Sequence, residues 1–321
     1  MKSSNRSVKV EPILSLPDVV WIDGKENKPE IKDFVLRSGT MWALGRQVLL
    51  RSQDGANWQN IAANLGREGG FYVSSIVQGA TDLRIFARSG KGLRCYRWDE
   101  WESAWKVIFS ISTSSPGLFS AWTECGLVMA ARHNPETEII CRESDYEDRP
   151  KWRNVLHGSA VHLQISFSGT GLCALWETDR VHSTRDSGSS AIYSTNDGGK
   201  NWHLVATIET MLLGGSPVDE NTALVGGTGG TIGLINNLGL QELWKENGGD
   251  IVAVDANGSQ QLAAIESDDE SPVQGLLLRE GNSKWTRHLA NFDDRIQCVK
   301  LLAPTECVVC TRQTIYRCRF E

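Results

Sequence analysis

The chain has 321 residues, with 33 Lys and Arg against 39 Asp and Glu, and a formal net charge of −6 at pH 7. A net negative chain lacks the general positive field that binding to phosphate backbones requires, so nucleic acid is not expected as its main ligand. No apolar run approaches the roughly 20 residues of a membrane span, and the N-terminus leads into no long apolar signal segment. We therefore expect a cytoplasmic protein without membrane attachment, in which the eight cysteines are reduced.

The first predicted element is an apolar segment from Val8 to Val20 that ends at Trp21. A series of short β-rich runs separated by Gly, Asn, Asp or Pro follows, beginning with residues 34–36, 41–44 and 48–50. Each set of three runs is followed by a tryptophan that begins or precedes a fourth. These tryptophans are Trp58, Trp105, Trp152, Trp202, Trp244 and Trp285, at intervals of 47, 47, 50, 42 and 41 residues. The period predicts repeated units of four strands.

Two connections in this series have the same pattern of a strand, an Asp-Gly turn and a tryptophan, at residues 48–58 and 191–202. In this pattern the aspartate carboxylate accepts hydrogen bonds from backbone N–H groups of the turn and the glycine takes a positive φ. The tryptophan then fills the space between neighbouring sheets. The pattern assigns these structural roles to Asp54, Gly55, Trp58, Asp197, Gly199 and Trp202.

Residues 195–202, Thr-Asn-Asp-Gly-Gly-Lys-Asn-Trp, resemble the Asp-box, or BNR repeat, of sialidases, sortilin-like receptors and YCF48-like photosystem II assembly factors. These families are β-propellers, so the resemblance implies a propeller. Residues 225–232 also resemble the Gly-rich strand of the assembly factors. We expect a tight turn there and no phosphate-binding loop, because no helix follows it. The Arg-Ile-Pro-like motif that begins the sialidase arginine triad is missing from the chain, so no catalytic residue is assigned.

Six repeated units span residues 33–290, and three further strand-like runs follow at 295–301, 306–310 and 314–318. The N-terminal segment is available as the outer strand that this last unit lacks. We predict an all-β, seven-bladed β-propeller of four-stranded antiparallel blades, closed by the N-terminal strand on the C-terminal blade, although the pattern leaves six blades open. Residues 1–321 are expected to form this single domain. Residues 1–32 hold the closing strand and lead-in, 33–290 six blades, and 291–321 the inner strands of the seventh.

The residues that often bind metals or act in redox chemistry show no suitable spacing. Cys307 and Cys310 are three positions apart on a predicted strand, so their side chains point to opposite faces and do not chelate one ion. The six histidines show no i, i+4 spacing. No metal and no cofactor is expected.

If the Asp-Gly turns join the third and fourth strands of each blade, the connections at the other end of the blades form a separate, loop-rich top face. Charged groups fix the orientation of protein partners, and the basic early units and acidic sixth unit suit such a partner. The longest connection, 177–190, is the strongest candidate within this face. The residues predicted to bind a partner are Arg46, Arg67, Arg88, Lys91, Arg132, His133, Asp179, Arg180, His182, Arg185, Asp268, Asp269, Glu270 and Arg312.

The sequence thus favours a non-enzymatic, protein-binding scaffold that is monomeric on its own. An assembly factor and an immunity protein that caps a toxin both fit this description. The alternative is a carbohydrate-active propeller that binds or hydrolyses glycosides at the mouth of its channel. Charged loops that are merely solvated would give the same pattern.

Overall fold

The computed structural model describes most of the chain and divides it into two compact units. The C-terminal unit comprises Met1–Leu16, Trp176–Ile192 and Val205–Glu321, and the N-terminal unit comprises Pro17–Leu175 and Tyr193–Leu204. The described residues are 7–16, 20–22, 25–37, 39–62, 65, 71–78, 83–89, 92–99, 101–112, 117–123, 126–133, 136–142, 152–165, 171–177, 189–197, 200–219, 222–236, 238–246, 249–267 and 274–321.

Nearly all regular structure in these residues is β-strand, as the sequence predicts. The strands of the first half are β1 (Val8–Ser15), β2 (Val20–Ile22), β3 (Lys25–Asn27), β4 (Glu30–Arg37), β5 (Thr40–Arg46), β6 (Val48–Ser52), β7 (Gln59–Asn60), β8 (Phe71–Gln78), β9 (Leu83–Ser89), β10 (Gly92–Asp99), β11 (Ala104–Ser112), β12 (Gly117–Thr123), β13 (Gly126–His133), β14 (Glu136–Arg142) and β15 (Trp152–Ile165). The strands of the second half are β16 (Gly171–Glu177), β17 (Ser189–Thr195), β18 (His203–Ile208), β19 (Leu212–Pro217), β20 (Thr222–Gly227), β21 (Thr231–Asn236), β22 (Gly239–Lys245), β23 (Asp250–Asn257), β24 (Gln260–Glu266), β25 (Gln274–Glu280), β26 (Thr286–Leu289), β27 (Ile296–Ala303), β28 (Glu306–Thr311) and β29 (Thr314–Phe320). A 3₁₀ turn, Thr228–Gly230, joins β20 to β21. No described segment is a helix long and apolar enough to cross a lipid bilayer.

In the C-terminal unit, consecutive strands pair antiparallel into four-stranded sheets. β19–β22 form one sheet, β23–β26 form the next, and β27–β29 form the last together with β1. The second strand of each sheet, β20, β24 or β28, is almost continuously buried. A strand that has partners on both sides and packed side chains on both faces has this pattern.

The closing strand lies where the sequence predicts it. β1 pairs antiparallel with β29, from Val8 opposite Phe320 to Ser15 opposite Thr314, with an irregularity between Pro12 and Leu14. Proline has no N–H to donate and is tolerated in edge strands and at irregularities, and Pro12 has both settings. The predicted segment is not one element, however, since β1 ends at Ser15 and β2 forms a separate hairpin with β3.

The core of the C-terminal unit lies between successive sheets. Leu224 and Ile232 of the first sheet pack with Ile251, Val254 and Leu277 of the second. A second cluster joins the β23–β26 sheet to the last sheet in the same way, through Ala253, Leu262, Leu276, Val299 and Val309. The β23–β26 sheet therefore packs one face against each of its two neighbours within this unit.

A buried carboxylate ties the three inner strands together. The carboxylate of Asp255 in β23 accepts hydrogen bonds from Ser216 Oγ of β19 at 2.9 Å and from the backbone N–H of Leu301 at 2.8 Å. Lys300 Nζ of β27 lies 2.9 Å from the same carboxylate and supplies the opposite charge. A buried charge needs such partners to offset its desolvation.

In the N-terminal unit, β4–β7 and β8–β11 are antiparallel meanders, and one bridge between Arg46 and Tyr72 joins them. β12–β15 form a further meander in the same unit. Trp105 of the second meander is buried, and its indole N–H donates to the carbonyl of Ile61 at 2.9 Å. Trp98 meets Trp105 edge to face, with 5.1 Å between ring centroids. Trp105 thus fills the space between two neighbouring sheets.

Candidate interaction surface

The turn at Asp54 joins β6 to β7 and is organised by the aspartate carboxylate. Oδ1 accepts hydrogen bonds from the backbone N–H groups of Ala56 at 2.9 Å and Asn57 at 2.8 Å, while Oδ2 accepts from Asn57 Nδ2 at 2.7 Å. Gly55 has a φ of 76°, which an L side chain rarely adopts. The Asn57 hydrogen bonds, followed by that of Ala56, hold the pKa of the Asp54 carboxyl well below its usual range.

The turn at Asp197 repeats this geometry with one more residue between the aspartate and the asparagine. Its carboxylate accepts from the backbone N–H of Asn201 at 3.0 Å and from Asn201 Nδ2 at 2.6 Å. Burial raises the pKa of Asp197, but the Asn201 and Thr195 hydrogen bonds outweigh burial and lower it overall. Trp202 is half-buried, and Gly199 lies outside the described residues.

A third turn, between β10 and β11, keeps the aspartate without the glycine. Asp99 Oδ1 accepts from the backbone N–H groups of Trp101 at 2.9 Å and Glu102 at 3.1 Å. Lys106 Nζ lies 2.6 Å from Asp99 Oδ2 and is the main cause of the lowered pKa of Asp99. Ser103 takes the positive φ, 46°, that a glycine would otherwise supply.

Sequence reasoning missed two members of each of the networks at Asp54 and Asp197. Ser52 and Thr195, two positions before each aspartate, donate their hydroxyl hydrogen to its Oδ1 at 3.1 and 2.9 Å. Asn57 and Asn201 immediately precede the tryptophans, and each donates to both carboxylate oxygens. The signal was present in both segments as Ser or Thr, any residue, then Asp, with Asn-Trp at the end.

The C-terminal unit has at one end a set of connections that are hydrogen-bonded to one another. We call it the loop end, defined by its described residues Thr228–Gly230, Glu246, Gly249, Ser267, 290–295 and 312–313. The backbone N–H of Gly229 donates to Asp250 Oδ1 at 2.8 Å, and the N–H of Glu246 donates to the carbonyl of Gly230 at 2.8 Å. The Gly-rich segment 225–232 is therefore a strand and a tight turn, as predicted.

Two buried side chains fix the loop end between the second sheet and the last. Gln274 Nε2 donates to Glu266 Oε1 at 2.8 Å and to the carbonyl of Asp294 at 3.0 Å. Gln274 Oε1 accepts from the backbone N–H of Phe292 at 2.8 Å. Glu266 Oε1 also accepts from the N–H of Ile296 at 3.3 Å. Two backbone positions of the 290–295 connection and the first residue of β27 are thus bound to these two side chains.

Asp293 links this connection to the β28–β29 hairpin. Thr311 Oγ1 donates to its Oδ1 at 3.0 Å, and Thr314 Oγ1 donates to its Oδ2 at 2.7 Å. Burial raises the pKa of Asp293, but the hydrogen bonds from Thr314, Tyr316 and Thr311 outweigh it and lower the pKa below the usual range. Burial, together with this bond to Asp293, raises the pKa of Tyr316. Asp293 therefore remains ionised and holds the turn at Arg312 and Gln313 in place.

Arg46 and Arg312 are the two predicted partner-binding residues whose side chains are described. The Arg46 side chain is 55% exposed, lies 4.0 Å from Glu30, and is next to the β5–β6 turn, at the other end of its sheet from Asp54. Arg312 is exposed in the β28–β29 turn of the loop end. The structure brings Arg312 together with the 290–295 connection through Asp293.

The other predicted partner-binding residues are described by backbone alone or lie outside the description. The backbone places Arg88 near the end of β9, and Arg132 and His133 at the end of β13. Arg67, Lys91, Asp179, Arg180, His182, Arg185, Asp268, Asp269 and Glu270 lie outside the described residues. Within the described part of the chain, no group of three or more His, Cys, Asp or Glu side chains is arranged to hold a metal ion.

No protein-family model and no curated protein sequence matches the chain. Solved structures do match. A structure of YCF48 bound to D1 peptide has a TM-score of 0.66 and 13% sequence identity, covering 99% of this chain and 96% of that chain. The GH74 enzyme of Niastella koreensis has a TM-score of 0.65 and 12% identity, covering 90% of this chain and 52% of that one. The WD40 repeats of RRP9 have a TM-score of 0.60 and 10% identity, covering 98% of this chain and 100% of that chain.

These similarities, together with the four-stranded antiparallel meanders, define the fold as a β-propeller. At such low identities they concern the fold alone. The count of seven blades and the assignment of the aspartate turns to the Asp-box family remain predictions.

Proposed function

We propose that the protein is a non-enzymatic scaffold that binds another protein through the loop end of the C-terminal unit. The observation that carries this proposal is the set of hydrogen bonds that fixes these connections before any partner arrives. Gln274, Glu266 and Asp293 together hold the 290–295 connection and the β28–β29 turn. A surface ordered in advance loses less conformational entropy on binding, so more of the contact energy appears as affinity.

The charges of the loop end support a protein partner. Exposed groups of both signs lie close together there, with Asp293 and Arg295 in one connection and Arg312 in the adjoining turn. Alternating charges favour one orientation of a complementary protein surface and disfavour others. The similarity to YCF48, whose structure contains a bound peptide, supports the same class of ligand for this fold.

Within this proposal the protein acts in the cytoplasm as a monomer that caps its partner, as an assembly factor or an immunity protein does. The aspartate turns of the N-terminal unit are Asp-boxes with a structural role. Their carboxylates are saturated by hydrogen bonds from their own turns, which leaves them poorly suited to catalysis.

A carbohydrate-active propeller is the second candidate, and the similarity to the GH74 enzyme favours it. A screen of fluorogenic glycosides and a glycan array test this alternative directly. Turnover, or binding that an excess of free glycan competes away, would replace the scaffold proposal.

The scaffold proposal is tested by charge reversal at opposite ends of the C-terminal unit. Arg312→Glu alters the loop end, whereas Lys284→Glu makes the same change in the exposed β25–β26 turn at the other end. We expect a stoichiometric protein partner to co-purify from native-host extract with wild type and with Lys284→Glu, and to be lost with Arg312→Glu. Thermal unfolding of each variant verifies that the fold is intact.

Two results would contradict the proposal. Retention of the partner by Arg312→Glu with wild-type affinity would place binding elsewhere. The lack of any stoichiometric partner, in extracts and after mild cross-linking, would remove the scaffold function itself.

A further inference from the structure

Four of the eight cysteines lie in the last sheet, which the N-terminal strand completes. They are Cys298 in β27, Cys307 and Cys310 in β28, and Cys318 in β29. All four are reduced and buried. A buried cysteine is most often a small apolar residue of the core. These four cysteines, however, also lie opposite one another on neighbouring strands.

The cysteines form two cross-strand pairs. Cys307 lies directly opposite Cys318 in the β28–β29 ladder, and Cys298 lies opposite Cys310 in the β27–β28 ladder. Directly opposed residues of antiparallel strands have Cα atoms about 4.5 to 5.5 Å apart. A disulfide accepts Cα separations of about 4.4 to 6.8 Å, so the spacing of opposed cysteines falls within the range of a disulfide.

The pair Cys307 and Cys318 is the better placed of the two. Both belong to the apolar cluster between the β23–β26 sheet and the last sheet, so their side chains share one face of that sheet. The Cys318 thiol is also near enough to Cys307 to contribute to the raised pKa of Cys307. The other pair adjoins a register irregularity between Ile296 and Cys298.

The closed sheet protects the Cys307–Cys318 pair from reaction. Both residues have no exposed surface. Burial first, and then the neighbouring Cys318 thiol, raises the pKa of Cys307 well above its usual value. The thiolate is the nucleophile in disulfide exchange, so a thiol held protonated reacts slowly. Reaction therefore requires transient separation of the edge strand β1 from β29, which exposes the pair to solvent.

We propose that Cys307 and Cys318 are a redox modification site. They form a reversible cross-strand disulfide with each other, and a low-molecular-weight disulfide such as oxidised glutathione is the oxidant. One cysteine thiolate attacks a sulfur of the reagent and releases one glutathione thiolate, leaving a mixed disulfide. The second cysteine thiolate attacks the protein sulfur of that bond and releases the second glutathione thiolate. The cysteine pair loses two electrons and two protons, and one molecule of oxidised glutathione gains them and becomes two molecules of reduced glutathione.

The bond links the two strands on which the closing of the last sheet depends. β29 pairs with both β28 and β1. A covalent link between β28 and β29 opposes their separation and thereby keeps in place the strand with which β1 pairs. The loop that it closes, residues 307–318, contains the Arg312 turn of the loop end. Cross-linking reduces the entropy of the unfolded chain and is expected to raise the melting temperature.

Peptide mapping of the full chain tests the proposal. Native protein is incubated with oxidised glutathione, its remaining thiols are alkylated, and it is digested with trypsin, which cleaves after Lys and Arg. The proposed bond joins peptide 301–312 to the peptide that begins at Cys318 and ends at Arg319. A bond between Cys298 and Cys310 instead joins 296–300 to 301–312, so the two linkages give different masses.

Two matched variants separate the proposed bond from other cysteine chemistry. Cys318→Ala should abolish the linked peptide and any oxidant-dependent rise in melting temperature. Cys310→Ala, which removes a cysteine from the other pair, should retain both. Addition of dithiothreitol should reverse the rise in wild type.

Several outcomes overturn the proposal. These are a wild-type map without the 307–318 link after prolonged native oxidation, a link that forms in denatured protein alone, or a melting-temperature rise that persists in Cys318→Ala. Peptide 301–312 contains both Cys307 and Cys310, so fragmentation of the linked peptide assigns the bond to one of them. With that assignment the wild-type map decides the matter even if a variant fails to fold.

Discussion

At the scale of single residues, aspartates with satisfied carboxylates recur throughout the chain in structural roles. Asp54 and Asp197 organise turns, Asp255 joins three inner strands, and Asp293 holds two connections of the loop end. Each accepts several hydrogen bonds in its charged form. Hydrogen bonds to a charged form favour that form, so Asp54, Asp197 and Asp293, whose pKa values these bonds lower, make stability depend on pH.

Asp54 gives the clearest pH prediction, because its pKa is lowered by hydrogen bonds of the folded turn. A carboxyl whose folded pKa lies below its unfolded pKa stabilises the protein above the unfolded value, about 3.9, and this contribution is lost as the pH falls towards the folded value. We expect Asp54→Asn to lower the free energy of unfolding at pH 7, with a difference from wild type that shrinks as the pH falls below about 4. Urea unfolding at several pH values measures it.

The exposed neighbour Gln53 supplies the control, since Gln53→Ala changes no carboxylate. Its effect on the free energy of unfolding should be small and independent of pH. An Asp54→Asn effect that stayed constant down to pH 3 would show that the charge of the Asp54 carboxylate does not contribute to the free energy of unfolding.

At the scale of elements, close contact between stacked sheets decides where glycine is required. A Cβ atom on Gly226 in β20 would overlap Ile251 Cγ2 and approach Val254 Cγ1 to 2.8 Å. On Gly214 in β19, the nearest atom to a Cβ would be the Ala253 Cα at 3.5 Å, an ordinary contact. Contact with the next sheet therefore excludes a side chain at Gly226 but leaves room for a methyl group at Gly214.

This contrast predicts unequal effects of the same substitution. Gly226→Ala should destabilise the protein by about 1 to 3 kcal/mol, the usual cost of overpacking a core. Gly214→Ala should change the free energy of unfolding by much less, because its methyl group has room. Urea unfolding of both variants provides the measurement, and equal losses would mean that sheet contact does not explain Gly226.

At the scale of the whole molecule, the sequence predicts a single propeller domain, and this remains a prediction. A propeller in which each sheet packs on its neighbours is expected to unfold as one cooperative unit, because no sheet keeps its core alone. Tryptophan fluorescence and hydrogen exchange of amides in β8–β11 and β23–β26 should therefore report one transition at one urea concentration. Two separated transitions would show instead that the two units are independent domains.

Local sequence patterns determined the all-β class, the aspartate turns and the Gly-rich turn. Each of these depends on backbone preferences over fewer than about a dozen residues, so it can be read without knowledge of distant partners. Strand geometry alone also predicts that the side chains of Cys307 and Cys310 point to opposite faces of the sheet. Cys307 belongs to the same apolar cluster as Val309, and Cys310 does not.

The tertiary structure decided what depends on register and on packing between elements. The sequence predicts that the N-terminal segment completes the last sheet, but only the register places Val8 opposite Phe320, and only strand pairing places Cys307 opposite Cys318. The partners of Asp255, and the hydrogen bonds that hold the loop end, likewise come from residues far apart in the chain. A strand pattern fixes which residues share a face, whereas the partner of each residue is set by how the strands and sheets align, and that alignment is a property of the whole fold.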